Sequence, residues 1–181
     1  KDLTHTLLEN GYPAEGFLFD TAIAAYLLDA TAGSYDLERL NVAYFNAELP
    51  KAKTFTASGM TIELTEDFTE KDMLGFTAVY QSEDVFVFAL KEEFDILGDE
   101  MNVDEYAELV LEANQMDAEV KHDNGHTYFT FDKTVSGKDM TYTAVLYKGE
   151  DAYWMIQFAC LSKDYDKLED TIFGYANSVE F

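Results

Sequence analysis

Apolar positions recur with two different periods along the chain, and the change falls near Pro50. Before it the spacing is helical. Leu3, Leu7 and Leu8 share a helical face ahead of Asn10-Gly11, a helix stop, and Phe17-Leu18-Phe19 is a short apolar run that ends in Asp20. Asp20 suits the N-cap of a helix over Thr21–Leu28, whose Ala22, Ala24 and Ala25 form a small-residue face. Gly33 then breaks the chain, Ser34 can cap a further helix, and Leu37, Leu40 and Tyr44 make its stripe. Helices this short need a surface to pack on.

From Lys51 onward the period is two. Met60–Leu64, Phe76–Gln81, Val85–Leu90, Ala118–His122, Thr127–Asp132, Thr141–Lys148 and Tyr153–Cys160 read as strands rich in β-branched and aromatic residues. Ser82-Glu83-Asp84, Asn124-Gly125, Ser136-Gly137 and Gly149-Glu150 supply the turns between them. Two helices interrupt the meander. The first runs from Asp104 to Gln115 with Tyr106, Leu109, Val110 and Ala113 on one side. The second is capped by Ser162 and buries Tyr165, Leu168, Ile172, Phe173 and Ala176. In Tyr153–Cys160 both faces are apolar, which predicts a central strand covered on two sides. The fold class expected is therefore α+β: an antiparallel sheet of about seven strands with covering helices over residues 51–181, plus a helical appendage over 1–50. Ala47–Thr54 reads as the linker, and Met60–Leu64, beside it, as a sheet edge.

Composition sharpens this picture. The chain has 181 residues with 36 acids against 12 bases, a formal charge of −24. That field repels phosphate backbones and anionic surfaces, so nucleic acid is a disfavoured partner. No apolar run reaches the ~20 residues of a membrane-spanning helix, so no membrane insertion is expected within this chain. The first residue is Lys1, as in a fragment or a processed form.

Candidate chemistry is sparse. His122 and His126 flank Asp123-Asn124-Gly125, but a two-residue hairpin turn pairs Asp123 with His126 and His122 with Thr127, so the imidazoles point to opposite faces and cannot share an ion. Asp123 and His126 then read as a cross-strand ion pair. Cys160 follows core residues and reads as a buried, inert thiol. Ser34 and Ser162 read as caps rather than nucleophiles. Glu63-Glu66-Asp67 and Asp95-Asp99-Glu100-Asp104 lack the spacing of a calcium loop and read as solvated acidic faces. Tyr128, Phe129, Phe131, Tyr142, Tyr147, Tyr153 and Trp154 divide between core and one exposed sheet face, the arrangement of a binding platform. No catalytic residue, metal site or cofactor is expected.

Two stretches resemble known families. Phe19-Asp20-Thr21-Ala22-Ile23-Ala24-Ala25-Tyr26-Leu27-Leu28-Asp29 and Tyr35-Asp36-Leu37-Glu38-Arg39-Leu40, within residues 2–47, resemble part of the 3′–5′ exonuclease region of family A bacterial DNA polymerases. Active members hold two metals with acids from D-x-E, N-x3-D and Y-x3-D motifs. Here the first would lie upstream of Lys1, Asp2 stands near the second without its Asn, and Tyr80-x3-Asp84 and Tyr147-x3-Asp151 straddle hairpin turns. The resemblance thus implies at most a catalytically dead remnant.

Residues 53–181 resemble the PsbP-like α/β/α domains of Gram-positive bacterial lipoproteins. The resemblance is carried by Lys53-Thr54-Phe55-Thr56, Gly59-Met60-Thr61-Ile62-Glu63-Leu64, Phe88-Ala89-Leu90-Lys91-Glu92-Glu93-Phe94, Ala144-Val145-Leu146-Tyr147-Lys148-Gly149, Gln157-Phe158-Ala159-Cys160 and Ala176-Asn177-Ser178-Val179-Glu180-Phe181. It implies a non-enzymatic binding or assembly module of exported type whose partner is a small ligand, a peptide or a protein. The lipid-attachment cysteine of such a protein would lie upstream. The C-terminal segment is thus of extracytoplasmic type and the N-terminal one of cytoplasmic type, and a chain joining them is a recombined gene, an artefact of assembly, or a fusion in which the helices were recruited for packing.

Overall fold

A computed structural model describes residues 21–28, 37–46, 51–123 and 125–181. The chain divides into two compact units, Lys1–Pro50 and Lys51–Phe181. In the first, helix α1 covers Thr21–Leu28 and helix α2 covers Leu37–Phe45. Ala25 is buried, whereas Leu27, Leu28 and Phe45 are exposed. Of the stripe expected on α2, Leu37 and Tyr44 are exposed and Leu40 is half-buried. The helix expected around Leu3–Leu8, the Phe17–Phe19 run, Asp2, Asp20, Gly33 and Ser34 lie outside the described residues.

In the second unit the strands are β1 (Ala52–Ala57), β2 (Met60–Thr65), β3 (Thr69–Lys71), β4 (Ala78–Gln81), β5 (Phe86–Glu93), β6 (Lys121–Asp123), β7 (His126–Val135), β8 (Lys138–Lys148) and β9 (Ala152–Leu161). The helices are α3 (Phe94–Leu97), α4 (Val103–Ala113) and α5 (Tyr165–Asn177). Seven strands form one antiparallel sheet in the order β3-β4-β5-β9-β8-β7-β6, so β9 is its centre.

β1 and β2 form a separate antiparallel hairpin, turned by Ser58 and Gly59, both at positive φ. The lysines around Ala52 suggested a linker, but β1 pairs along its whole length with β2, and Phe55 is its one buried residue. Nor is Met60–Leu64 an edge of the main sheet. Met60, Ile62 and Leu64 turn inward from the hairpin, and Thr61 bridges to Glu180. The strand that does form that edge, β3, is Thr-Glu-Lys and wholly exposed, so no apolar alternation announces it.

Each face of the sheet has its own core. On the first, the β1–β2 hairpin and α5 cover Tyr80, Val87, Val145, Trp154, Ile156 and Phe158, with Ile172, Phe173 and Ala176 as the buried stripe of α5. On the second, α4 covers Phe129, Ala144, Leu146, Tyr153 and Met155. A full capping box starts α4: Asn102 Oδ1 accepts from Glu105 N–H, and Glu105 Oε2 accepts from Asn102 N–H. The helix meets β7 and β8 on a face shifted from the expected stripe, with Tyr106, Ala107, Val110 and Leu111 buried and Leu109 and Ala113 exposed. A single turn of 3-10 helix, Ser162–Asp164, precedes α5, and Ser162 Oγ accepts from Thr141 Oγ1 at 3.0 Å instead of capping.

Candidate binding face

Helix α4 lies over β7 and β8, so it closes only part of the second face. Beyond its end, strand alternation turns Phe86 and Phe88 of β5, Gln157 and Ala159 of β9, Tyr142 of β8 and Phe131 of β7 to the same side. Phe76 joins them from the turn before β4, with its ring 5.1 Å from that of Phe88. Phe76, Phe86, Phe88 and Tyr142 belong to neither core, and each keeps part of its ring exposed. Beneath them Val79, paired with Phe88, and Ala159, paired with Phe86 and Tyr142, are both only 1% exposed. Here the aromatic side chains themselves form the outer layer that a helix provides elsewhere.

Phe131 and Tyr142 stack at 4.8 Å and 9°, Phe86 and Phe88 at 6.0 Å and 6°, and Phe88 and Tyr142 at 6.4 Å and 26°. Near-parallel rings at these separations cover part of one another's faces. Beside them an open depression of about 390 Å³ is lined by the end of α4 (Val110, Asn114 and Met116) and by Phe131, Asp132, Lys133, Met155 and Gln157. Gln157 Nε2 donates to Met155 Sδ at 3.3 Å, and a thioether is a weak acceptor. Burial raises the phenol pKa of Tyr142.

Charge also sets this area apart. From Phe86 across to Val135, the positions turned to this side beyond α4 carry no carboxylate, in a chain with 36 acids. Lys133 and Lys138 stand on the same side at the β7–β8 hairpin, and neither makes an ion pair among the described residues.

The candidate chemical groups do not converge. The hairpin register pairs His122 with Thr127 and Asp123 with His126, as the turn residues require. His122 faces α4, with Nδ1 3.8 Å from Asp104 Oδ1. His126 faces α5, with Nε2 2.8 Å from Asn177 Oδ1 and its ring against Phe173. Cys160 is buried in the first core, and burial foremost, then Asp164 and Asp84, raises its pKa. Tyr80 packs on Phe55 at 4.8 Å, and Tyr147 donates to the Ala176 carbonyl at 2.9 Å, so both are core tyrosines. Glu63 lies on the exposed side of β2, where its N–H donates to Ser178 Oγ. Asp104 Oδ1 accepts from Thr127 Oγ1, and Lys148 Nζ donates to the Asp99 carbonyl. Among the described residues no three His, Cys, Asp or Glu side chains gather as metal ligands would.

Of the seven aromatics singled out in the sequence, Tyr128, Tyr147 and Trp154 belong to the α5 side, while Phe129 and Tyr153 lie under α4. Phe131 and Tyr142 mark the open area. Phe76, Phe86, Phe88 and Gln157 complete it unannounced, although Phe86 and Phe88 occupy alternate positions in β5 opposite the inward Val87 and Ala89.

No family model and no curated protein matches the chain. Solved structures similar to it include cyanobacterial PsbP (CyanoP) from Synechocystis sp. PCC 6803, at 12% identity over 74% of this chain and 94% of that one, TM-score 0.46. The Ran-binding protein Mog1p of Saccharomyces cerevisiae is similar at 10% identity over 73% and 96%, TM-score 0.47. LpqN of Mycobacterium tuberculosis, a protein involved in cell envelope biogenesis, is similar at 9% identity over 82% and 98%, TM-score 0.41. Likeness of this strength concerns the general arrangement of strands and helices. Among the described residues no helix is long and apolar enough to cross a membrane.

Proposed function

We propose that residues 51–181 form a self-contained, non-catalytic binding or assembly module, of the exported PsbP-like type its sequence resembles, and that its ligand docks on the open aromatic half of the second sheet face. The observation that carries this reading is the row of partly exposed rings that no helix of residues 51–181 covers. Seating a ligand there removes apolar area from water that folding leaves wet, about 25 cal/mol for each Å². The groups able to carry a reaction support the non-catalytic part, because His122, His126 and Cys160 are each engaged in a separate place.

A display library of short random peptides selected on the full chain tests the reading, with backbone amide exchange locating the bound peptide. Protection on β5, β8 and β7 around Phe86, Tyr142 and Phe131 is the expected footprint. Protection confined to the β1–β2 hairpin or α5 would place the binding surface elsewhere. The self-contained part is tested by expressing residues 51–181 alone, which should unfold in one cooperative transition.

A further inference from the structure

On the reading of the aromatic half as the docking surface, we infer that its ligand is an extended peptide segment of a partner protein, apolar along its length and acidic at the end over the β7–β8 hairpin. From β5 to β7 the row crosses three strand spacings, about 14 Å, the reach of about four residues of extended chain. At its middle stands Gln157, whose amide meets only the Met155 thioether among the described residues. A polypeptide backbone offers both a donor and an acceptor to that amide, whereas an acyl chain would bury it unpaired. Sugar rings stack on the open faces of aromatic rings, and here one face of each of Phe131 and Tyr142 is covered by the other ring at 4.8 Å. The acidic end follows from Lys133 and Lys138, which stand on this side of the hairpin without an ion pair among the described residues, while Asp132, at the border of the depression, and Asp139 accept from Thr141 and Thr134. A screening length of ~8 Å at physiological salt removes most of the distant part of the −24 charge, and the adjacent Asp132 and Asp139 are turned to the opposite side of the hairpin by strand alternation. A second copy of the chain, laid twofold-symmetrically on the same face, would set these lysines against their own counterparts.

The test titrates the isotope-labelled full chain with two synthetic peptides that share a Val-Phe-Leu centre, one ending in Asp-Asp and the other in Lys-Lys. Lauric acid and a cello-oligosaccharide serve as acyl and glycan probes. The Asp-Asp peptide should shift the Gln157 side-chain amide and bind about five- to tenfold more tightly than the Lys-Lys peptide. K133E/K138E should reverse that order, and both substitutions lie on an exposed hairpin where they leave the cores untouched. Equal affinities, or shifts at this face from the acyl or glycan probe and from neither peptide, would overturn the inference while the docking surface stood. A face that none of the four probes perturbs would overturn both.

Discussion

Two tyrosines make the second unit sensitive to alkali. Tyr106, on the inward side of α4, is fully buried, donates to Glu92 Oε2 at 2.6 Å and stacks on Tyr153 at 4.7 Å. Burial, then the Glu92 hydrogen bond and charge, holds its pKa far above the ordinary value. Tyr147 donates to the Ala176 carbonyl inside the α5 face, and burial has the same effect there. In the unfolded chain both phenols ionise near pH ~10. The folded state therefore binds more protons than the unfolded state above that pH. The stability these groups contribute is complete below pH ~10 and falls as pH rises further, by about 1.4 kcal/mol per group per pH unit. By pH ~12 the two together remove about 5 kcal/mol, comparable with the whole stability of a modest domain. Tyrosinate absorbance followed beside near-ultraviolet circular dichroism should show a cooperative step in which ionisation and unfolding coincide. Y106F removes one of the two groups and should move the step upward in pH relative to neutral stability. If all 12 tyrosines titrate smoothly near pH ~10 with the dichroism unchanged, the phenols are not shielded as described.

Other consequences follow from particular contacts. Ile156, fully buried between the centre of the sheet and α5, should cost about 2–5 kcal/mol on replacement by Ala, read as a lower denaturation midpoint at an unchanged slope. Asn102→Ala removes half of the α4 capping box and should cost about 0.5–2 kcal/mol, with amide protection falling first at the start of that helix. Cys160 should resist a thiol reagent at neutral pH until the sheet unfolds, since it is buried and its pKa is raised; rapid labelling of the native chain would contradict that placement.

Much of the sheet was legible because its strongest strand is written twice over. Trp154, Ile156 and Phe158 alternate with Tyr153, Met155 and Ala159, and only a central strand buries both sets. The hairpin register around Asn124-Gly125 was equally readable, because a two-residue turn fixes the pairing. What escaped was set by tertiary context. β3 is entirely polar, and β1 reads as a lysine-bearing linker until β2 supplies its partner. The inward stripe of α4 was misjudged because Leu109 and Leu111 are equivalent by composition, and only the approach to β7 and β8 selects Leu111. Apolar residues on two sides of a strand predict two covers and do not tell where a cover stops. The half-closed state of the second face, and with it the role of Phe86, Phe88 and Gln157, emerges only once the length of α4 is set against the width of the sheet.

The most direct measurement is the affinity of a selected peptide for the full chain beside its F131S/Y142S variant, with the denaturation midpoint of each as a control. Both rings are partly exposed at the surface of the sheet, so the variant should keep a cooperative transition. Removing two adjacent aromatic anchors should weaken binding at least about thirtyfold. Unchanged affinity in a folded variant would contradict the claim that this aromatic half is where the protein binds.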